Sequence, residues 1–245
     1  MSDLDFSGKS VLVIGGSTGI GNGIARAFAA RGATVCVTGT RPSRSDYAEN
    51  EDADFTGLDY RQLHLSDPAA LSGFAPNLDR LDTLITCQGA VRYGRAEFEI
   101  DTFRDVVEIN LNSVMACAVH FRPLLAASGG SLIVISSIAA FNARRGNPAY
   151  ASSKAAAVAL VRTLGEAWAP DGVRVNGIAP GLVPSKLTAI TTENEDRLRK
   201  TLREIPLGRL GTPAEMAGAA LFLASPLASY VVGHTITVDG GKSLS

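Results

Sequence analysis

The sequence lacks an excess of charge of either sign, and it contains no basic tract. Its 23 Lys and Arg residues nearly balance 24 Asp and Glu residues, which leaves a net charge of −1 at neutral pH. Proteins that follow a phosphate backbone usually carry a concentrated positive patch. The composition therefore argues against nucleic acid as a main partner.

Long apolar runs are lacking as well. No stretch reaches the roughly 18 consecutive apolar residues that indicate a membrane-spanning helix. The opening segment MSDLDFSGKS holds two acidic residues and no apolar run, so it does not look like a secretory signal. We therefore expect a soluble, cytoplasmic protein that has no membrane partner.

Cysteine and histidine are scarce, with three residues of each. Cys36, Cys87 and Cys117 lie far apart in apolar segments, which is typical of reduced, buried thiols. The histidines are also widely separated, and no Cys-x-x-Cys or His-x-x-x-His pair is present. We expect neither a disulfide framework nor a metal site.

Glycine, in contrast, is abundant. The 245 residues include 25 glycines, about one in ten, where about 7% is usual. Apolar residues make up 46% of the chain and charged residues 19%, which is enough to fill the core of one large domain and excludes intrinsic disorder.

Short β-branched runs alternate with longer helical patterns from end to end. The runs VLVIG and LIVIS are continuously apolar, as in strands that are buried on both faces. The alternation predicts a single α/β domain, residues 1–245, with a parallel sheet covered by helices on both sides. The predicted strands are residues 11–14, 35–38, 62–65, 83–86, 132–136, 173–178 and 235–238, and the longest helical patterns are residues 101–125 and 150–168.

A glycine-rich loop joins the first predicted strand to a helical pattern. Glycines let backbone N–H groups approach a pyrophosphate, and the positive end of the following helix faces the anion. A tight strand–helix turn without a ligand is the alternative interpretation. The residues predicted to bind a dinucleotide here are Gly15, Ser17, Thr18, Gly19, Ile20 and Gly21.

The end of the second strand selects the nucleotide. An acidic residue there would bind the adenosine ribose, whereas an arginine would accept a 2′-phosphate. No acidic residue occurs between this strand and Asp46, while Thr40 and Arg41 lie just after the strand. We predict that NADP(H) is preferred, with NAD(H) possible, and that Thr40 and Arg41 bind the phosphate. Alternatively, Arg41 is a solvated loop charge.

Tyr150 and Lys154 are four residues apart in a helical pattern, which places both on one face. A neighbouring ammonium group would lower the pKa of the phenol, which is about 10 when free. Ser137 ends a predicted strand, where its hydroxyl could donate to a carbonyl oxygen. Asn110 places an amide inside an apolar helix, which is costly unless it serves a network. An exposed helix face with a chance Tyr–Lys spacing is the alternative.

In this order the glycine loop, Asn110, Ser137, Tyr150 and Lys154 resemble the short-chain dehydrogenase/reductase family, and the resemblance covers essentially the whole chain. It implies a single-domain Rossmann fold, with a doubly wound seven-stranded parallel sheet and helices on both faces. It also implies NAD(P)-dependent hydride transfer and a homotetramer. Tyr150 would be the general acid and base, Lys154 would lower its pKa and hold the nicotinamide ribose, Ser137 would orient the substrate oxygen, and Asn110 would anchor a water.

The sequence departs from the family pattern in two places. The usual Asn-Asn-Ala-Gly after the fourth strand reads Thr86-Cys87-Gln88-Gly89, so that Gly89 alone keeps its place beside the cofactor. Support of the central sheet by the first Asn must then come from Thr86 or be lost. A frequent Asp after the third strand aligns with His64, which leaves the backbone of Leu65 for the adenine. Pro180, Gly181 and Val183 complete the predicted cofactor-binding residues.

The predicted substrate is a small molecule with a ketone or a secondary alcohol, whose identity the sequence does not give. Residues 183–205 are expected to form a substrate lid. Arg144 and Arg145 could bind an anionic substrate, or they could be rim charges or subunit contacts. A non-catalytic NAD(P)-binding regulator with the same fold is the competing hypothesis.

Overall fold

Seven short strands pair into one parallel sheet in the order β3-β2-β1-β4-β5-β6-β7. The computed structural model describes residues 3–47, 53–67 and 69–244. The order reverses beside β1, so that the chain first builds one half of the sheet and then the other, as in a doubly wound Rossmann fold. This confirms the predicted fold class. The strands are β1 (Ser10–Ile14), β2 (Thr34–Gly39), β3 (Leu58–Gln62), β4 (Thr83–Thr86), β5 (Ser131–Ile135), β6 (Arg174–Pro180) and β7 (Thr235–Val238).

Helices connect the strands and cover both faces of the sheet. They are α1 (Gly19–Ala29), α2 (Ile100–Val107), α3 (Ser113–Ser128), α4 (Pro148–Trp168), α5 (Ala189–Thr192), α6 (Glu195–Arg203) and α7 (Pro213–Ala224). None of the helices in the described ranges has the length and apolar character that crossing a membrane requires.

Adjacent residues of each central strand contribute to opposite layers of the core. Val11 and Val13 pack with Phe28 in the layer below α1 and α7. Leu12 and Ile14 pack with Phe121 in the layer below α3 and α4. Because both faces of β1 are covered in this way, the strand reads as a continuous apolar run.

The third strand lies earlier in the chain than the sequence predicts. The prediction was residues 62–65, whereas the strand is Leu58–Gln62 and pairs only with β2 at the edge of the sheet. Leu58 and Tyr60 alternate with polar residues inside the strand, and Leu63, beyond the strand, is buried. Because apolar residues continue past the end of the strand, they did not show where its backbone pairing ends.

The predicted helix over residues 101–125 is interrupted. A π-helical turn, Glu108–Asn112, separates α2 from α3. Such a turn inserts one extra residue into the helical repeat and often lies at a functional site. Here it contains Asn110, which is fully buried.

The first turn of α7 is closed by a capping box. The Thr212 hydroxyl oxygen accepts from the backbone N–H of Glu215 at 3.3 Å, and the Glu215 carboxylate accepts from the backbone N–H of Thr212 at 2.8 Å. This reciprocal pair satisfies two N–H groups that a helix end leaves free.

Candidate active site

Tyr150 and Lys154 lie on one face of α4, where their spacing predicted them. The Lys154 ammonium nitrogen is 5.9 Å from the centre of the Tyr150 ring. Tyr150 is half-buried in the first turn of the helix, and Lys154 is buried one turn later.

Two hydrogen bonds join this part of α4 to the end of β5. The Lys154 Nζ donates to the carbonyl oxygen of Ile135 at 2.9 Å, and the Ser136 hydroxyl donates to the backbone carbonyl of Lys154 at 2.8 Å. Burial lowers the pKa of Lys154 to about 8. The ammonium group uses one of its three N–H donors in the Ile135 contact, which leaves donors for a bound molecule.

Ser137 lies two residues beyond the end of β5 and is the N-cap of a short 3-10 turn, Ile138–Ala140. Its Oγ accepts a hydrogen bond from the backbone N–H of Ala139 at 3.1 Å. The hydroxyl proton remains available as a donor. The same hydroxyl lies beside the Tyr150 phenol and favours its ionised form.

The pKa of Tyr150 is raised in this structure, not lowered as the spacing predicted. Burial is the largest cause, and it outweighs the Ser137 hydroxyl and the Arg144 guanidinium, which both lower the pKa of the phenol. Lys154 does not offset the burial, because its own ammonium group is desolvated and turned toward the Ile135 carbonyl.

Asn110 connects three segments at the base of the site. Its Oδ1 accepts from the backbone N–H of Ala90 at 2.7 Å, and its Nδ2 donates to the Ala90 carbonyl at 2.9 Å and to Ser153 Oγ at 3.1 Å. The side chain therefore serves the protein scaffold, and the water-anchoring role that the resemblance implies for Asn110 stays a prediction.

Gly89 lies between Asn110 and Lys154. A Cβ atom at this position would be 3.6 Å from both Asn110 Oδ1 and Lys154 Nζ, which is ordinary contact distance. The structure thus brings Gly89, Asn110, Ser137, Tyr150 and Lys154 together at the carboxyl edge of the sheet, which is where open α/β sheets bind ligands.

The departure at the end of β4 has a visible consequence. Within the described residues the buried Thr86 Oγ1 has no hydrogen-bond partner, and neither does Gln88 Oε1. Gln88 Nε2 donates to Ser113 Oγ at 3.0 Å. Thr86 therefore does not replace the hydrogen bonds that an Asn side chain could make, and support from this position is lost.

The glycines of the glycine-rich loop have different structural roles. Gly15 has a positive φ of 74°, and a Cβ there would lie 2.7 Å from the backbone nitrogen of Gln88. A Cβ at Gly21 would collide with the Gly15 carbonyl oxygen. These two positions require glycine for close packing within the protein. Gly19, with a φ of 54°, would meet only Ser185 Cβ at 3.4 Å.

The N-terminus of α1 fits an anionic group. Thr18 is its N-cap residue, but no side chain caps the helix, and its first turn has no acidic residue. Ser17 is buried and Ile20 half-buried beside this end. The free N–H groups and the positive helix end match a pyrophosphate.

Thr40 and Arg41 follow β2, but Arg41 is turned back onto its own loop. Its guanidinium lies 4.6 Å from the centre of the Tyr47 ring and donates to the Asp46 carbonyl. The Tyr47 hydroxyl accepts from the Arg41 backbone N–H at 3.1 Å and lies beside Ser17 and Thr40. The sequence did not single out Tyr47, because it follows a run of polar loop residues.

The remaining residues that were predicted to bind the cofactor differ in how deeply they are buried. Val183 is buried in the layer with α1 and α7, and Leu65 is half-buried beyond β3. Pro180 ends β6. Gly181 packs tightly, because a Cβ there would lie 2.7 Å from Asp239 Cα.

One residue of the site escaped the sequence interpretation entirely. Glu97 is completely buried, and its Oε2 accepts from the backbone N–H of Tyr150 at 2.9 Å. The local sequence AEFEID also contains Glu99, which is exposed. Nothing in the sequence distinguishes the buried glutamate from the exposed one.

Comparison with known proteins gives matches over nearly the whole chain. Residues 15–243 match a family model described as Enoyl-(Acyl carrier protein) reductase. The 2-dehydro-3-deoxy-D-gluconate 5-dehydrogenase of Bacillus subtilis (strain 168) is 36% identical over 242 residues, covering 96% of this chain and 94% of the relative. The 3-oxoacyl-[acyl-carrier-protein] reductase FabG of Chlamydia muridarum is 33% identical over 243 residues, covering 96% and 97%.

Solved structures are similar over the full length. A protein from Beutenbergia cavernae, provisionally assigned as an NAD(P)-dependent gluconate 5-dehydrogenase, has NADP bound at low occupancy; it superimposes with a TM-score of 0.90 at 32% identity, covering 100% of both chains. A gluconate 5-dehydrogenase from Burkholderia cenocepacia J2315, in complex with NADP and tartrate, has a TM-score of 0.87 at 27% identity and 100% coverage of both.

Proposed function

The chain belongs to the short-chain dehydrogenase/reductase family, and we propose that it is an NADP(H)-dependent oxidoreductase that interconverts a ketone and a secondary alcohol. The observation that carries this proposal is the common location of Ser137, Tyr150 and Lys154 at the carboxyl edge of the sheet. A regulator without chemistry would not need this set of proton donors in one site.

Two parts of the site support the proposed cofactor: the loop before α1 and the segment that follows β2. Gly15, Ser17, Thr18, Gly19, Ile20 and Gly21 form the loop before the uncapped α1 N-terminus, which would hold the pyrophosphate. β2 ends without a carboxylate and is followed by Thr40 and Arg41, and two similar structures hold NADP. NADP(H) is therefore preferred over NAD(H).

A bound nicotinamide would supply or accept the hydride at the substrate carbon. Tyr150 gives a proton to the substrate oxygen during reduction and takes it back during oxidation. Ser137 donates a hydrogen bond to the same oxygen through its free hydroxyl proton. Lys154, held by Ile135 in the depth of the site, has donors left for the nicotinamide ribose.

The substrate class follows from charge near the phenol. Arg144 lies close enough to Tyr150 to favour the phenolate electrostatically. A guanidinium group in this position can bind a carboxylate. Because several relatives act on sugar acids, the proposed substrate is a polyhydroxy or keto acid, and Arg144 binds its carboxylate.

A second candidate is a 3-oxoacyl thioester. FabG-type relatives from several bacteria match at similar identity, and exposed apolar side chains at Phe141 and Leu187 could contact an acyl chain. The two candidates differ in whether removal of Arg144 impairs binding.

The lid remains part of the proposal. Residues 183–205 contain α5 and α6. The Tyr93 hydroxyl donates to the Leu187 carbonyl at 2.6 Å, so that the segment contacts the loop after β4. A lid in this place would cover the substrate and exclude water.

Subunit number and location are proposals as well. Tyr230 is fully exposed, and Leu227 is 53% exposed in the same C-terminal region; such apolar surface favours a homotetramer. Cys36, Cys87 and Cys117 are free thiols, which is in keeping with a cytoplasmic location.

Substitution of Tyr150 by Phe tests the mechanism. We expect kcat to fall at least about 100-fold, because the proton donor is gone, while NADPH binding measured by fluorescence stays close to that of the unmodified enzyme. Tyr230→Phe, at an exposed position, is the matched control. Full activity of Tyr150→Phe would refute the mechanism.

The substrate requires a separate measurement. NADPH absorbance is followed with 2-dehydro-3-deoxy-D-gluconate, 3-oxoacyl thioesters and uncharged ketones, and NADP⁺ reduction with D-gluconate. Arg144→Ala is expected to raise KM for the acids more than for the uncharged ketones. Preference for thioesters in the unmodified enzyme would favour the second candidate.

A further inference from the structure

A buried carboxylate lies behind the catalytic tyrosine and belongs to no part of the proton-transfer set. Glu97 has a relative exposure of 0%. Carboxylates are seldom fully buried unless N–H groups or cations satisfy them, because desolvation of the charge is costly. The burial of Glu97 therefore requires groups that satisfy its carboxylate.

Three N–H groups satisfy the Glu97 carboxylate. Oε1 accepts from the backbone N–H of Arg92 at 2.9 Å and from the side-chain amide of Asn147 at 3.2 Å. Oε2 accepts from the backbone N–H of Tyr150 at 2.9 Å. The last bond acts on the residue that carries the reacting phenol.

The Tyr150 bond performs the work of a helix cap. The N-cap residue of α4 is Asn147, whose side chain makes no capping bond, and Pro148 at the first helical position has no N–H. Tyr150 is the third residue of α4, and its N–H is one of the donors that a helix end leaves without an internal partner. Glu97 supplies the missing acceptor from a segment 53 residues away.

The loop after β4 is shaped to deliver this carboxylate. Gly94 and Arg95 both have positive φ, 68° and 63°, and Arg95 is the only non-glycine residue with positive φ in the part of the chain that the structure describes. The short 3-10 turn Ala96–Phe98 follows and carries Glu97. Asn147 Nδ2 also donates to the Arg92 carbonyl at 2.9 Å, which fastens the loop to α4 a second time.

We propose that Glu97 is a positioning residue for proton transfer: it fixes the first turn of α4 and holds a buried carboxylate against the backbone of Tyr150. This inference rests on the proposed function, in which Tyr150 is the general acid and base. Glu97 itself touches neither the substrate nor the cofactor in this assignment.

Several groups face the phenol and set its protonation together. Burial is the largest cause of its raised pKa, Ser137 and Arg144 lower that pKa, and Glu97 and Cys87 raise it. Lys154 lies 5.9 Å from the ring, and Tyr93 is close enough to interact electrostatically. Glu97 and Arg144 thus oppose each other, and removal of the Glu97 charge alone must lower the pKa of Tyr150.

Glu97→Gln separates the charge from the shape of the side chain. In the full-length protein labelled with [¹³Cζ]tyrosine, Tyr150 is assigned as the resonance that Tyr150→Phe lacks. We expect that resonance to begin its titration at lower pH in Glu97→Gln than in the unmodified protein. In the substrate-oxidation direction, where the phenolate is the base, the rise of kcat with pH moves the same way. The maximal kcat should fall about tenfold or more, because a displaced acid loses rate steeply with distance.

Two further variants make the result specific. Glu99→Gln removes a neighbouring exposed charge and should change neither the titration nor kcat. Glu97→Asp retains the charge but shortens its reach, so that the Tyr150 titration should stay in place while kcat falls. If Glu97→Gln does not fold, Glu97→Asp decides the question by the same two readouts.

An unchanged Tyr150 titration in folded Glu97→Gln would overturn the inference. A kcat equal to that of the unmodified protein in both Glu97 variants would overturn it as well. The NMR titration needs no substrate, so it separates this inference from the proposed function. Activity retained in Tyr150→Phe refutes the proposed mechanism, whereas an unmoved titration in Glu97→Gln refutes only the role of Glu97.

Discussion

The glycines of the proposed cofactor-binding loop are required for more than one reason. Gly15 and Gly21 are required by contacts within the protein, and Gly19 alone of the three leaves most of its surroundings open. The abundance of glycine in this loop therefore reflects packing of β1 against α1 and β4 as much as ligand approach. Both interpretations of the loop, a tight turn and an anion cradle, contribute to its sequence.

Arg41 is the residue whose orientation matters most for cofactor choice. Its guanidinium stacks on Tyr47, so it must turn outward to bind a 2′-phosphate. The stacking energy is on the order of 1 kcal/mol, which is less than a charge-assisted hydrogen bond to phosphate returns. The contact between Arg41 and Tyr47 therefore weakens the predicted preference for NADP(H) without removing it.

Replacement of Arg41 by Ala should weaken NADPH binding about tenfold or more, which corresponds to the loss of one charge-assisted hydrogen bond. NADH binding should change little, since NADH has no 2′-phosphate. Fluorescence titration with both cofactors measures the two dissociation constants. Arg44→Ala, an exposed arginine of the same loop, is the control. Equal weakening for both cofactors would show that Arg41 supports the loop and not the phosphate.

At the scale of secondary structure, helix ends are built by different means in this fold. α7 is capped locally by Thr212 and Glu215, which lie within one turn. α4 is capped by Glu97 from a distant loop. A local cap can be read from the sequence, because its residues are three apart, whereas a distant one requires the fold.

The α7 cap predicts a pH dependence of stability. The pKa of Glu215 is lowered from 4.5 to about 2, first by hydrogen bonds from Arg209 and then by the backbone N–H of Thr212. Because the folded pKa lies below the unfolded one, the contribution of the carboxylate is complete above about pH 4.5 and is lost as the pH falls toward about 2.

Glu215→Gln should therefore have a lower Tm than the unmodified protein at neutral pH, and the difference should vanish as the pH approaches 2. Thermal melts followed by circular dichroism across this range measure the difference. Glu166→Gln, on an exposed face of α4, serves as the control. A difference that stays constant down to the lowest pH would contradict the assignment.

At the scale of the whole molecule, the order of the strands creates the site. β1 has β2 on one side and β4 on the other, so that the loops leaving β1 and β4 diverge to opposite faces and leave a crevice between them. The glycine loop, Gly89 and Ser137 meet there because parallel strands all end at the same edge. The positive groups assigned to the cofactor site are the N-terminus of α1 and Arg41. The site therefore needs no excess of positive charge in the whole chain, whose net charge is −1.

The exposed apolar surface of the C-terminal region leads to a prediction about assembly. Sedimentation velocity at micromolar concentration should show a tetramer. The double variant Leu227→Asp with Tyr230→Asp should sediment as a smaller species, because it places charges on two exposed apolar positions of the proposed interface. Leu207→Asp, which alters an exposed apolar residue elsewhere, should remain tetrameric. A monomer in the unmodified protein would refute the proposal.

The sequence was sufficient for features that depend on local backbone geometry. Strand and helix periodicity predicted the fold, and six of the seven strands overlap their predicted ranges within two residues at each end, among them β1 and β4. The spacing of Tyr150 and Lys154 predicted a shared helical face. These features could be inferred because side-chain direction repeats with a fixed period along a helix or a strand. The edge strand β3 was misplaced, since apolar residues continue past its end at Leu63 and Leu65.

Only the tertiary structure decided what surrounds each functional group. It turned Arg41 onto Tyr47, engaged both ends of the Asn110 amide, and placed Glu97 behind Tyr150. It also reversed the expected direction of the Tyr150 pKa, because burial outweighed the neighbouring charges. Desolvation and contacts between distant segments depend on how the layers pack, and no local period in the sequence encodes them.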